Sequence, residues 1–330
     1  MIKLYNRLIR NCKSENMHSR IHIELENYMT PEQFFKLKND FSIQSLFSTH
    51  SENRLIQTFH KLHKYFRYLK RKSLSFFNAE NGTHYNQNKY TTAWMQRIDF
   101  YMNKIQKDHP EPFIKKRMDR YTWYFTSKDR TLKTKDKTLL VCFTGARSRM
   151  MMPLPVFLQS LDASSIDVIY IRYPRLNGYL CGLPGYDNSF VAMLDRLGSL
   201  PFNDYRHVVG MGSSAGTIPS LLLALKYEYN AVMLSGSAGP NDPTWSKALG
   251  KEVEEYIKNF TSNSKNIPSI YLVYGADSQP DTENAAQLQL LLPDAKLLKI
   301  NKAGHTALKP LIVNGEFVDL LAKTIFSNNK

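Results

Sequence analysis

The stretch that decides the fold is His207 to Tyr227, which reads His-Val-Val-Gly-Met-Gly-Ser-Ser-Ala-Gly-Thr-Ile-Pro-Ser-Leu-Leu-Leu-Ala-Leu-Lys-Tyr. An apolar, strand-like run leads into Gly212-Ser213-Ser214-Ala215-Gly216, and a helical run follows at once. This is a G-x-S-x-G pattern between a strand and a helix, where the two glycines allow the elements to approach closely. The pattern predicts that the Ser214 hydroxyl stands on a sharp turn at a helix N-terminus, where backbone N–H groups stabilise a developing oxyanion.

Strand-like and helix-like segments alternate on both sides of this turn. Short apolar or β-branched runs predict strands, and longer amphipathic or apolar stretches predict helices. The strands are expected at Tyr121–Thr126, Thr138–Thr144, Ile166–Tyr173, His207–Met211, Ala231–Ser235, Ile270–Tyr274 and Lys296–Ile300. The helices are expected at Leu154–Leu161, Ser189–Leu197, Thr217–Tyr227, Ser246–Phe260 and Thr282–Leu292. The alternation predicts an α/β fold, a mainly parallel central sheet with helices on both faces and ligands at the carboxyl ends of the strands.

A nucleophilic serine needs a base and an acid that orients the base. Two later strand ends supply both in order: Gly275-Ala276-Asp277 follows one strand and Gly304-His305 follows the last. Ser214, Asp277 and His305 are therefore expected to meet at one edge of the sheet, as a nucleophile, an orienting carboxylate and a general base.

Residues 118–330 resemble the α/β-hydrolase superfamily in these three motifs. The resemblance implies an α/β-hydrolase fold, in which Ser214 is the nucleophile, His305 the general base and acid, and Asp277 the orienting carboxylate. The acid motif is shorter than the Gly-x-x-Asp usual in the family, so Asp281 is the alternative acid.

The resemblance also implies an oxyanion hole. One donor is the Ala215 backbone N–H, and the second comes from the loop after the strand Thr138–Thr144, at Gly145 or Ala146. That loop lacks the His-Gly pattern of many esterases, so the choice between Gly145 and Ala146 stays open.

The positive charge is concentrated in the first part of the chain. Residues 1–140 hold 27 Lys and Arg against 13 Asp and Glu, a net charge of +14, out of +15 for the whole chain. Residues 1–117 are interpreted as a basic, mostly helical N-terminal region, with apolar residues at helical spacing from Leu55 to Leu69 and a second helix from Thr91 to Asp108. Residues 118–330 are interpreted as the catalytic domain. A basic region of this kind could bind an anionic polysaccharide or an anionic membrane surface, or it could be a solvated surface with no specific partner. Nucleic acid is not expected as a partner.

The resemblance to the superfamily implies acyl transfer through an acyl-serine, but it does not define the acceptor. With water as acceptor, the protein is an ester or thioester hydrolase acting on a small acyl substrate and needing no cofactor. A first alternative is an acyl-CoA-dependent O-acyltransferase, because the arrangement loosely resembles the α/β-hydrolase-fold O-acetyltransferases of bacterial capsular polysaccharides. Acetyl-CoA would then be the cosubstrate, and its phosphates would suit the arginines that follow strand ends: Arg147, Arg149, Arg172 and Arg175. A second alternative is a non-catalytic polyanion-binding protein on a hydrolase-like body.

Other features narrow the classes of protein. Three cysteines, at widely separated positions, are too few for a disulfide framework or a zinc site. The chain has no apolar run long enough for a membrane span and no secretory signal pattern. We therefore expect a cytoplasmic protein without a metal, with peripheral association at the inner face of the membrane as an alternative.

Overall fold

The computed structural model describes residues 14–42, 87–173, 179, 181–236, 247–264 and 267–325. The strands in these ranges are β1 (Phe113–Arg117), β2 (Thr122–Ser127), β3 (Thr138–Phe143), β4 (Ile166–Ile171), β5 (His207–Ser213), β6 (Asn230–Leu234), β7 (Ile270–Gly275) and β8 (Lys296–Ile300). They form one eight-stranded sheet in the order β1-β2-β4-β3-β5-β6-β7-β8.

The sheet is mainly parallel, as the sequence predicts. The pairs β1–β2 and β2–β4 are antiparallel, whereas β4–β3, β3–β5, β5–β6, β6–β7 and β7–β8 are parallel. Each of the seven predicted strands lies within two residues of an observed one. The antiparallel β1 was not predicted, because Lys115, Lys116 and Arg117 give it the composition of a polar loop.

Helices cover both faces of the sheet. They are α1 (Glu15–Glu26), α2 (Pro31–Ser42), α3 (Gln87–Lys104), α4 (Leu154–Gln159), α5 (Phe190–Gly198), α6 (Thr217–Tyr227), α7 (Lys247–Asn263), α8 (Gln279–Leu291), α9 (Leu308–Val313) and α10 (Glu316–Ile325). The second predicted N-terminal helix, Thr91 to Asp108, corresponds to α3. The observed helix begins and ends four residues earlier than predicted. The predicted helix from Leu55 to Leu69 lies outside the described residues. In the ranges that are described, no helix is long and apolar enough to cross a membrane.

Two hydrophobic cores lie on opposite faces of the sheet, because successive side chains of a strand point to opposite sides. On β3, Leu140 and Cys142 face one core, and Leu139, Val141 and Phe143 face the other. The first core is closed by α1–α4, α9 and α10, and the second by α5–α8.

The N-terminal helices belong to the first core rather than to a separate unit. Phe34 of α2 and Ile98 of α3 are fully buried in the same cluster as Phe125 of β2 and Tyr170 of β4. Strand β1 also precedes residue 118 and pairs with β2, with Phe113 opposite Ser127. The division predicted at residues 117 and 118 therefore runs through a β-hairpin, and no break in packing marks it.

Candidate active site

The turn after β5 has the strained geometry of a nucleophile elbow. Ser214 has φ = 49°, in the left-handed region that non-glycine residues seldom adopt. It opens a short 3-10 turn, Ser214–Gly216, and α6 begins at Thr217. A Cβ at Gly216 would lie 2.1 Å from the carbonyl oxygen of Phe143, and one at Gly212 would lie 2.3 Å from that of Gly216. Both positions therefore require glycine if β5, α6 and the end of β3 are to pack this closely.

Ser214, His305 and Asp281 form a continuous hydrogen-bonded chain. His305 Nε2 lies 3.1 Å from Ser214 Oγ. The other ring nitrogen, Nδ1, lies 2.9 Å from Asp281 Oδ1 and 3.1 Å from Oδ2. The imidazole side chain is 52% exposed and the carboxylate only 3% exposed, so the base faces the solvent and the acid is shielded from it. With Nδ1–H donated to Asp281, Nε2 is left as the acceptor for the serine proton.

Asp281, not Asp277, makes the carboxylate contact with His305. Strand β7 ends at Gly275, and the Asp277 backbone N–H donates to Ala303 O at 2.9 Å while the residue itself is exposed. Asp281 lies in the first turn of α8, which begins at Gln279. The prediction that named Asp277 placed the acid at the strand end itself, whereas the geometry puts it one helical turn further on, at the alternative position.

The three side chains come from loops or helix starts that follow β5, β7 and β8, in the chain order Ser, Asp, His. That order and the strand-turn-helix placement of the serine are the features of one architecture. The chain has the α/β-hydrolase fold. In such a sheet, the carboxyl ends of the parallel strands converge on one edge, and they place residues more than 90 positions apart within hydrogen-bonding distance.

Comparisons with known proteins gave matches among solved structures only. No family model matches the chain, and no curated protein matches it. Among solved structures, Est1E from Butyrivibrio proteoclasticus has a TM-score of 0.45 at 14% identity, over 64% of this chain and 100% of its own. A predicted CIB-like hydrolase from Thermoplasma acidophilum has a TM-score of 0.44 at 14% identity, over 63% and 97%. The thioesterase domain from the curacin biosynthetic pathway has a TM-score of 0.40 at 11% identity, over 64% and 99%.

The pKa of His305 is raised above its usual 6.5. The main cause is the hydrogen bond that His305 Nδ1–H donates to Asp281. Partial burial of the ring lowers the pKa, and the negative charge of the Asp281 carboxylate raises it further. A raised pKa means that Asp281 stabilises the imidazolium form.

The loop after β3, residues 144–149, lies against the elbow. A Cβ at Gly145 would stand 3.2 Å from Ser214 Cβ. The Gly145 N–H is already committed within the protein, because it donates to Ser213 Oγ and to Arg149 O, each at 3.0 Å. Of the two positions predicted for the second oxyanion donor, Gly145 is therefore occupied. Ala146, the other position predicted for this donor, is exposed.

The predicted anion-binding arginines are placed differently from one another. Arg149 and Arg172 form ion pairs with Glu26 and Glu24, and their side chains are only 12% and 11% exposed. These two arginines contact the C-terminal end of α1. Arg147 is exposed, and Arg175 lies outside the described residues.

Proposed function

We propose that the protein is a serine-dependent acyl hydrolase that cleaves small esters or thioesters through an acyl-serine intermediate. One observation carries the proposal: the contact of Ser214 Oγ with His305 Nε2, at 3.1 Å, joined to the contact of His305 Nδ1 with Asp281, at 2.9 Å. A serine hydroxyl is a weak nucleophile unless a positioned base removes its proton in the attack.

The reaction has two balanced halves. Ser214 Oγ bonds to the acyl carbon while its proton moves to His305 Nε2, and the tetrahedral oxyanion faces the Ala215 and Ala146 N–H groups. The carbon–oxygen or carbon–sulfur bond then breaks, and the imidazolium gives its proton to the departing alcohol or thiol. In the second half, water loses a proton to His305 as it attacks the acyl-serine, and the proton returns to Ser214 Oγ as the carboxylic acid leaves.

A fluorophosphonate probe and p-nitrophenyl esters of two to eight carbons test the proposal. The wild type should be labelled at Ser214 and should turn over at least the short esters, whereas Ser214→Ala should do neither while keeping the wild-type circular dichroism spectrum. Absence of labelling and turnover in the folded wild type would sink the proposal and would favour a non-catalytic binding protein.

Transfer to a sugar hydroxyl uses the same acyl-serine and differs only in the second acceptor. Arg149 and Arg172, two of the side chains that suggested coenzyme A as a partner, form ion pairs with glutamates. Adding acetyl-CoA, with and without an anionic polysaccharide, to the purified protein separates the two outcomes. Free coenzyme A released at the same rate without polysaccharide indicates hydrolysis, and release that requires the polymer indicates transfer.

An anionic partner for the basic region remains a separate proposal. Such a partner releases counterions when several Lys and Arg side chains bind it, so retention of the full chain on heparin or on vesicles containing phosphatidylglycerol should fall steeply with rising salt. Retention that does not change between 50 and 300 mM salt would count against it.

A further inference from the structure

The loop 144–149 is held from the elbow side by Ser213, the residue before the nucleophile. Ser213 is fully buried, and its hydroxyl both accepts the Gly145 N–H and donates to Arg149 O, each at 3.0 Å. Inside the loop, the Ser148 N–H donates to Gly145 O at 2.8 Å. The Ser213 hydroxyl thus joins both ends of a tight turn that carries Ala146 near its apex.

The same loop is held from the other side by the end of α1. The carboxylate of Glu26 is fully buried and pairs with the side chain of Arg149. The adjacent Asn27 donates its Nδ2–H to the carbonyl oxygen of Arg147 at 3.1 Å. Two consecutive residues of the N-terminal helix region therefore contact two backbone or side-chain groups of this one turn.

Glu26 is itself fixed in place by α3. Its Oε1 atom accepts a hydrogen bond from Trp94 Nε1 at 2.6 Å, and Arg97 also donates to it. A buried carboxylate that forms an ion pair with Arg149 and accepts hydrogen bonds from Arg97 and an indole has little freedom to move. The Arg149 end of the loop is thereby attached to a rigid point on the packed helices.

We propose that Glu26, Asn27 and Ser213 are positioning residues for the oxyanion hole: together they fix the loop 144–149 so that the Ala146 N–H faces the carbonyl oxygen of the acyl group held on Ser214. This inference rests on the proposed function. Oxyanion donors act by being held in advance at hydrogen-bonding distance from the transition-state oxygen, with their positions fixed to within about 0.5 Å. The N-terminal helices, which the sequence presents as an accessory basic region, then form part of the catalytic unit.

The test compares Glu26→Gln with Glu24→Gln. Glu24 is a matched control because it lies on the same helix and pairs with Arg172, which follows β4 and is outside the loop 144–149. Asn27→Ala and Ser213→Ala are milder variants that keep the buried charges of Glu26 and Arg149 intact. For each variant, the active fraction is titrated with the fluorophosphonate, and kcat and KM are measured with p-nitrophenyl butyrate.

We expect Glu26→Gln, Asn27→Ala and Ser213→Ala to lower kcat about tenfold to a hundredfold and to leave KM within about twofold of wild type. This is the effect expected when one oxyanion donor is partly lost. Affinity for a trifluoromethyl ketone, whose serine adduct carries the oxyanion, should fall by the same factor. Glu24→Gln should keep both constants. Combining Asn27→Ala with Ser213→Ala should cost less than the product of the single effects, since both act on one loop.

Two outcomes are distinguishable. If the wild type is neither labelled nor active, the proposed function fails and takes this inference with it. If the wild type is active but the three variants match Glu24→Gln in kcat and in ketone affinity, the inference is overturned and the contacts only stabilise the fold.

Discussion

The side chain of Asp281 lies 2.9 Å from His305 Nδ1, although the two residues belong to different segments and only the aspartate is buried. The arrangement sets the tautomer of the base from one side and leaves its other nitrogen directed at Ser214. It also distinguishes Asp281 from Asp277, which is four residues away in the sequence and exposed.

The two aspartates are therefore expected to differ in their effect on turnover. Asp281→Asn replaces the acceptor of the His305 Nδ1–H and favours the wrong tautomer, so kcat should fall by about three to four orders of magnitude. Asp277→Asn is the matched control and should leave kcat within about twofold of wild type. Steady-state kinetics with p-nitrophenyl butyrate decides the matter, and a silent Asp281→Asn would refute this choice of acid.

The pH profile should report the raised pKa of His305. The base must be neutral to accept the serine proton, so kcat/KM rises with pH through that pKa and levels off above it. The midpoint should lie above the ordinary pKa of 6.5, because the hydrogen bond that His305 donates to Asp281 favours the imidazolium. Asp281→Asn should move the midpoint to lower pH in whatever activity remains. A midpoint that is identical in both proteins would contradict the link between Asp281 and His305.

Gly216 should be intolerant of any side chain. A Cβ there would stand 2.1 Å from the Phe143 carbonyl oxygen. That oxygen belongs to the backbone of β3, so relieving the clash would require a displacement of the strand. Gly216→Ala is expected to lower the free energy of unfolding by at least about 2 kcal/mol. Gly304→Ala offers the control, because nothing lies within 4 Å of its added Cβ, and it should stay within about 0.5 kcal/mol. Urea unfolding of the three proteins measures both, and equal midpoints would contradict the packing argument.

Removal of residues 1–110 should prevent folding instead of leaving an active core. The helices α1–α3 and the turn after α1 bury nine large apolar side chains: Ile21, Leu25, Met29, Phe34, Leu37, Trp94, Met95, Ile98 and Met102. At about 1.5–3 kcal/mol each, their burial contributes more than about 10 kcal/mol, which is comparable with the whole stability of a typical domain. The truncated chain should accumulate as insoluble protein. A soluble, cooperatively unfolding fragment would show that the sheet is independent of these helices.

The sheet and the elbow could be predicted because their signals are local. Apolar runs mark the strands, and the glycines around Ser214 mark the turn. No local signal shows which aspartate contacts His305, because Asp277 and Asp281 both follow β7. Only the position of α8, which begins at Gln279, brings Asp281 to His305. Composition alone would not separate them.

The role of the N-terminal helices could not be predicted for a related reason. Arg149 and Arg172 looked available for an anion because their glutamate partners lie more than 120 positions earlier in the sequence. Helix α1 also carries buried His and Glu side chains, so its apolar face is weak as a periodic pattern. A contact between distant charged residues leaves no trace in spacing or hydropathy.

The attachment of Glu26 to Arg149 and of Glu24 to Arg172 also constrains the order of events at the ribosome. Helix α1 is made before the partners of its glutamates, because Arg149 and Arg172 follow Glu26 and Glu24 by more than 120 residues. At about 5–20 residues per second, this delay is on the order of ten seconds. During that interval Glu24 and Glu26 lack Arg172 and Arg149, so the loop 144–149 is fixed by a helix that was synthesised well before it.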